Sequence, residues 1–339
     1  MRVGVIGLGP QGRRVVRVLS EMPQLELAAV VDRDEEALST LALPASATRH
    51  RCAEEFWERG GCDLICIATN GPSHAALALE AMDAGARFVM VEKPMACTVA
   101  DCERMRDEAI RRGVRLAVDH SRRHDPLYRW LRDQIRSGIW GEPRSVWMQQ
   151  PGIGLGCRGT HAIDLVRFLT DSDVRSVTAW IDEPRGENPR GGEFVDPGGL
   201  LVLDMTQGLR GVICQIEDGA GPISVEIDLT ACRIRLDERF GTVEIIERDL
   251  AVQPGPGRPP AYRSISAPDG YRAQLDMFQM VRGLLEELIS DAPLECDSEH
   301  GIETIRVLVA AYISEQKEHS PVALASLSES ERELLLSVT

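Results

Sequence analysis

The sequence predicts an α/β protein of two domains: an N-terminal doubly wound parallel sheet, then an α+β domain on an open, mostly antiparallel sheet. Three observations predict it. Short apolar runs alternate with amphipathic helical stretches through the first third of the chain. The first run, residues 2–7, ends in Gly7-Leu8-Gly9-Pro10-Gln11-Gly12, directly ahead of a helical pattern. Beyond residue 144 the pattern changes to longer β-type stretches separated by turns. The 339 residues suffice for two cores, and the boundary is placed near residue 122, giving domains 1–122 and 123–339.

Along the first domain, Val15, Val16, Val18 and Leu19 mark a helix, Leu25 to Val31 a strand, and a helical stretch starts at Asp34. A short helix around residues 53–59 precedes an apolar strand, Leu64 to Ala68, and the loop Thr69-Asn70-Gly71-Pro72. Ser73 then reads as the N-cap of a helix from His74 to Ala84. A strand from Phe88 to Val91 leads to Glu92-Lys93-Pro94, a helix capped by Thr98, and the strand Arg115 to Val118. In the second domain, strands are expected at 145–149, 174–181, 200–206, 211–216, 223–230 and 242–247. A helix is expected at 159–169, and two late helices, 273–289 and 301–315, are expected to cover one face of the sheet. Residues 183–199 and 253–260 read as Gly/Pro-rich loops.

Apolar content of 43% with 27% charged residues describes an ordinary globule. A net charge of −15 without a basic tract argues against nucleic acid and anionic membranes as partners. The start enters a strand without a basic leader, and no apolar run is long enough to span a bilayer, so a cytoplasmic protein is expected. Nine scattered cysteines lack paired CxxC spacing, which points to reduced thiols and no zinc site. His120, Asp119 and His124 can be imagined around a metal, but Arg122 and Arg123 between them repel a cation, and no metal is expected.

The glycine motif, placed between a strand and a helix, permits a tight turn and the close approach of a pyrophosphate to a helix N-terminus. Asp32 lies at the end of the second strand, about 20 residues on, where a carboxylate hydrogen-bonds the adenosine ribose. That favours NAD over NADP. Arg33, next in sequence, can stack on adenine or pair with a 2′-phosphate, which keeps NADP open. Only two lysines, Lys93 and Lys317, stand among the 38 basic residues; the rest are arginine. An ammonium can be tuned by burial in a way that a guanidinium cannot, which makes Lys93 the first candidate for chemistry.

These motifs together resemble the Gfo/Idh/MocA oxidoreductases: Gly7 to Gly12, Ile67-Ala68-Thr69 with His74, Glu92-Lys93-Pro94, Arg122-Arg123 before Asp125-Pro126, and Gly159-Thr160-His161-Ala162-Ile163-Asp164. The ending from Gly301 to Val322 is similar as well. The resemblance implies an N-terminal Rossmann domain, a second domain with an open sheet, a nicotinamide between them, and substrates that are sugars, cyclitols or their derivatives. It implies that Lys93 reaches cofactor and substrate hydroxyl, with a cis Lys93–Pro94 bond allowed. Cofactor contacts are expected from Gly7, Leu8, Gly9, Pro10, Gln11, Gly12, Asp32, Arg33, Ala68, Thr69, Asn70, His74, Glu92 and Lys93. A homodimer or homotetramer through the exposed sheet face is also expected.

Oxidation of an alcohol needs a base for the hydroxyl proton, and His161 suits that task, with Asp164 one turn along the same helix. Lys93, His161 and Asp164 are therefore the expected catalytic residues. Four residues before His161 the family commonly has aspartate, and this chain has Cys157. A thiol does not steady an imidazolium as a carboxylate does, so either Asp164 takes that role, Lys93 and His161 suffice, or the chain is not a conventional dehydrogenase. Substrate contacts are expected from Lys93, His120, Arg123, Cys157, Arg158, His161 and Arg190, with Arg122 and Arg123 also suited to tying helix ends at the junction. The competing readings are a nucleotide-sensing or scaffolding protein on the same fold, and a glycoside-cleaving enzyme that oxidises its substrate transiently.

Overall fold

The structure is a computed structural model that describes all residues except 153, 185–187, 189, 239–240, 250, 253–254, 258, 267–275 and 339. Two compact units emerge, one of residues 1–124, 276–306 and 329–339, the other of 125–275 and 307–328. Neither is continuous in sequence, and the first change of unit falls between His124 and Asp125.

The first unit holds a six-stranded parallel sheet in the order β3-β2-β1-β4-β5-β6. Its strands are β1 (Arg2–Ile6), β2 (Glu26–Val31), β3 (Thr48–His50), β4 (Leu64–Ile67), β5 (Phe88–Val91) and β6 (Arg115–Val118). Between them run α1 (Pro10–Leu19), α2 (Glu35–Thr40), α3 (Ala53–Trp57), α4 (His74–Asp83) and α5 (Val99–Arg112). Runs such as Leu64–Ile67 are buried along their whole length, as a sheet covered on both faces requires. Caps set the helix starts: the Asp34 carboxylate accepts from the amides of Glu36 and Ala37, and the Thr98 hydroxyl from that of Asp101.

Ser73 does not cap α4 as expected. Residues Gly71–Ser73 already form a 3-10 turn, so the Ser73 hydroxyl turns back to the Asn70 carbonyl (2.9 Å) and the Thr69 hydroxyl (2.7 Å). The three-residue β3 also escaped sequence reading, being too short to show a period. The late helix α8 (Met277–Leu288) belongs to this unit. Val281, Leu284, Leu285 and Leu288 join Val15, Val18 and Leu19 of α1 and Met90 of β5 in one core. Burying four such side chains contributes roughly 1.5–3 kcal/mol each, which is why the chain returns here.

The second unit is a nine-stranded sheet in the order β14-β13-β12-β11-β7-β10-β9-β8-β15. The strands are β7 (Pro143–Pro151), β8 (Val174–Ile181), β9 (Gly199–Met205), β10 (Arg210–Ile216), β11 (Ser224–Leu229), β12 (Cys232–Asp237), β13 (Thr242–Arg248), β14 (Tyr262–Ser266) and β15 (Val322–Ala323). All pairings are antiparallel except β7 with β10. The helix α6 (Pro126–Arg136), unforeseen in the sequence, packs with α7 (Thr160–Thr170), and α7 lies against β7 and β10. The helix α9 (Ser298–Gln316) contributes its later part to this unit, where Ser314 and Glu315 accept the amides of Ala179 and Ile181 on β8. A last short helix, α10 (Glu329–Arg332), returns to the first unit. Residues 273–275 of the expected helix lie outside the described residues.

Along β7, β9, β10 and β11 burial alternates residue by residue, so one face is core and the other open. The open face carries Trp147 and Trp180, 50% and 42% exposed, beside Val202 and Val212. It also carries cross-strand ion pairs, Arg233 with Asp228 (2.6 Å) and Arg235 with Glu226 (2.7 Å).

His74, at the start of α4, is fully buried, and its ring nitrogens face two carbonyls, Pro94 O at 2.8 Å and Thr69 O at 3.1 Å. Burial lowers its pKa from 6.5 to about 4, so the folded protein holds a neutral imidazole. The unfolded chain then binds a proton that the folded chain refuses. Stability is unaffected above pH 6.5 and falls as pH drops from 6.5 toward 4, by up to about 3 kcal/mol. Replacing His74 by Asn is expected to flatten this part of a stability–pH curve measured by urea unfolding. An unchanged slope would show that His74 is not the group responsible.

Candidate functional site

The first group of candidate residues lines the carboxyl ends of the parallel strands, where open α/β sheets bind ligands. Gly7 follows β1 with φ +92°, and a Cβ there would stand 2.6 Å from the Ala68 carbonyl oxygen. A Cβ on Gly12 would lie 1.8 Å from the Gly7 carbonyl, so α1 can begin this close to β1 only with glycine there. Gly9 differs: a Cβ would meet nothing within 4 Å, and the space above its exposed backbone is open. Free amides of the first turn of α1, started by Pro10, point into that space. The loop thus fits a pyrophosphate by shape and by dipole. Leu8 is buried, and Gln11 is half-buried and accepts from Arg14.

Asp32 follows β2, and its Oδ2 accepts from the Leu8 amide at 2.6 Å while Oδ1 accepts from the Asp34 amide at 2.8 Å. The carboxylate is thereby aimed across the glycine loop, with lone pairs left for a ribose diol. Arg33 is exposed beside it. Ala68 continues β4 through its amide to the Ile6 carbonyl, Thr69 is half-buried and Asn70 exposed. His74, expected among the cofactor contacts, is fully buried with its ring nitrogens facing the Pro94 and Thr69 carbonyls, and the single N–H of a neutral imidazole donates to one of them.

Lys93 follows β5 and is 6% exposed, with a cis peptide to Pro94. Its amide donates to Glu92 Oε2 at 3.2 Å. Burial and the nearby Asp119 charge push Glu92 well above the usual carboxylate range, against the opposing field of Lys93. Asp119 and His120 follow β6, both buried. The His120 carbonyl accepts from Cys296 Sγ, and Arg123 donates to the Glu295 carbonyl at 2.9 Å. Arg123 therefore anchors the segment before α9.

The second group sits where β7 gives way to α7. Residues Gly154–Gly159 form a π-type turn, a rare geometry common at functional positions. Asp196 holds it: Oδ1 accepts from the Gly156 amide and Oδ2 from the Cys157 amide, each at 2.7 Å. Gly154, φ +61°, lies so close to that carboxylate that a Cβ would stand 2.0 Å from its carbon. The Thr160 hydroxyl donates to the Gly156 carbonyl, and α7 follows with His161 half-buried and Asp164 1% exposed. Cys157 is half-buried; Arg158 is exposed and donates to the Pro151 carbonyl. Arg190 is exposed in a turn where its amide donates to Asn188 Oδ1.

Two residues in these groups escaped sequence reading. Asp196 brings a carboxylate to the backbone of Cys157, the position where the sequence lacks an acidic side chain, yet it stands 39 residues away in a loop without periodicity. Tyr312 of α9 has a buried hydroxyl, and burial together with the Asp196 charge pushes its pKa up. All nine cysteines are thiols. Burial pushes Cys62 up to about 11 and Cys232 to about 12, which keeps them uncharged and unreactive. Among the described residues no cluster of His, Cys, Asp and Glu is suited to a metal ion, and no helix is long and apolar enough to cross a membrane.

Comparison with known proteins agrees with this geometry. Residues 1–120 match the model of an oxidoreductase family with an NAD-binding Rossmann fold. Inositol 2-dehydrogenase 1 of Saccharopolyspora erythraea is 29% identical over 223 residues, 62% of this chain and 65% of its own length. The rhizopine catabolism protein MocA of Rhizobium meliloti is 30% identical over 62% of this chain and 70% of its own length. With inositol 2-dehydrogenases of S. erythraea and Acidothermus cellulolyticus the match spans 62–65% of the relative's length. In fold, a levoglucosan dehydrogenase in complex with NADH and levoglucosan superposes with a TM-score of 0.80 at 18% identity, over 96% of this chain and 99% of its own. An Agrobacterium radiobacter oxidoreductase in complex with NAD+ and L-tartaric acid gives 0.77 at 19%, over 97% and 99%. The glycine cradle, the strand order and these matches together place the chain in the Gfo/Idh/MocA family of oxidoreductases with an NAD-binding Rossmann fold.

Proposed function

We propose that the protein is an NAD-dependent dehydrogenase or reductase that interconverts a secondary alcohol and a ketone on a sugar, cyclitol or sugar derivative. The observation that carries this is the alignment, at the carboxyl ends of β1, β2 and β5, of the open Gly9 cradle, the fixed Asp32 carboxylate and the buried Lys93. NAD, when bound, accepts the hydride from the alcohol carbon. The amides at the start of α1 would hold its pyrophosphate, and Asp32 its ribose hydroxyls. Lys93 donates a hydrogen bond to the substrate oxygen and polarises it, and His161 takes the hydroxyl proton as hydride leaves the same carbon. Asp164, buried one turn along α7, steadies the charge that His161 gains. The polyol class is supported by the inositol dehydrogenases among its relatives.

The open sheet face supports a homodimer or homotetramer. Exposed tryptophans beside Val202 and Val212 form an apolar patch, and interleaved arginines and carboxylates make the face complementary to a second copy.

Three measurements test this reading. Lys93→Met is expected to leave NADH binding intact and to lower turnover on the best polyol by about 10²–10⁴-fold; near-normal turnover removes Lys93 from the chemistry. Asp32→Asn, which keeps an acceptor for the Leu8 amide but loses the charge, is expected to weaken NADH roughly 10- to 100-fold in a fluorescence titration while sparing NADPH. Equal losses for both cofactors would place the ribose elsewhere. Sedimentation is expected to show an oligomer that Trp147→Glu dissociates, and a monomeric wild type would refute the assignment of the sheet face.

A further inference from the structure

Glu92 and Asp119 continue β5 and β6 by one residue each. The parallel register ends on Val91 with Val118, and the residues that follow bring their carboxyls within hydrogen-bonding reach of each other. Both are buried, 4% and 3% exposed. The Glu92 Oε2 atom accepts the Lys93 amide, and Asp119 Oδ1 accepts the Ser121 amide at 3.2 Å. The other Glu92 oxygen, Oε1, is buried and meets no N–H or O–H donor among the described residues. Two carboxylates in this position repel each other, whereas a carboxyl and a carboxylate form a hydrogen bond.

Among the described residues, the cation recorded as acting on Glu92 is Lys93. His74 of α4 is neutral. Cys66 of β4 feels the Asp119 charge and stays a thiol because it is buried. Cys296 donates to the His120 carbonyl. Asp297, which bridges to Ala117 of β6, is engaged with His300 and feels Arg123. One buried cation compensates one carboxylate, and a second full negative charge would stand uncompensated.

We propose that Glu92 and Asp119 share a single proton, placed on Glu92 Oε1 and donated to Asp119, so that the pair presents one negative charge to Lys93. Both acids are then positioning residues for Lys93, and either supplies the counter-charge when the other is neutralised. The inference rests on the proposed role of Lys93 at the substrate oxygen, but its central claim concerns a proton and is measured without turnover.

The test uses the full chain with Glu92→Gln, Asp119→Asn and the double change. At neutral pH the wild-type infrared spectrum is expected to contain the C=O stretch of a neutral carboxylic acid. Glu92→Gln removes it with the proton carrier, and Asp119→Asn removes it because Glu92 then ionises against Lys93. At saturating NADH, the double change is expected to lower turnover by about tenfold more than the product of the two single effects, since only there does Lys93 lose both acids. A wild-type spectrum from which Glu92→Gln subtracts no carboxylic acid overturns the proposal, and so does strict additivity. The infrared arm decides the matter if the double variant does not fold. An infrared result as expected, with no turnover on any polyol, would refute the dehydrogenase reading and leave the acid pair standing.

Discussion

The first unit depends on one close backbone approach. Gly7, at φ +92°, packs on the Ala68 peptide, and the Gly7 carbonyl in turn sits where a Cβ of Gly12 would be. Side chains at either position would separate β1 from β4 or lift α1 off the sheet. With glycine at both, α1 starts directly above the strand ends, and its unsatisfied amides face the crevice. Asp32, held by the Leu8 and Asp34 amides, then lies along the same rim without needing a ligand to order it. The cofactor recognition proposed for this unit follows from backbone packing, with a single carboxylate added.

Burial governs the electrostatics beside that crevice. Lys93, Glu92, Asp119 and His74 are all at or below 6% exposure, in a region where charge is costly unless matched. His74 answers by losing its proton, and Glu92 is driven toward keeping one. Lys93 stands beside them, and the carbonyl of the next residue, Pro94, faces the same imidazole. The second unit uses a different device. There the Asp196 carboxylate spends both oxygens on the Gly156 and Cys157 amides, which shapes the π-type turn from which α7 and His161 emerge.

Much of this was legible in the linear order of residues. The βα alternation, the glycine loop, Asp32, the Thr98 cap and the open antiparallel sheet all rest on local chemistry, where period and cap are written within a few residues. The strands β3 and β15 were too short to show a period, and α6 was missed despite Asp125 at its N-cap and Pro126 after it. Ser73 looked like a cap because sequence does not reveal that the preceding three residues already turn.

The sequence by itself determined which residue types stand at the strand ends, and hence the family, the dinucleotide loop and the candidacy of Lys93 and His161. Only the tertiary structure decided that α8 completes the first unit, that His74 is enclosed between two carbonyls, that Asp196 serves the turn at Cys157, and that Glu92 meets Asp119. Each of those relations joins residues that are distant along the chain or on different strands. Their energies come from burial and from charge at short range, and both exist only once the chain has brought the partners together.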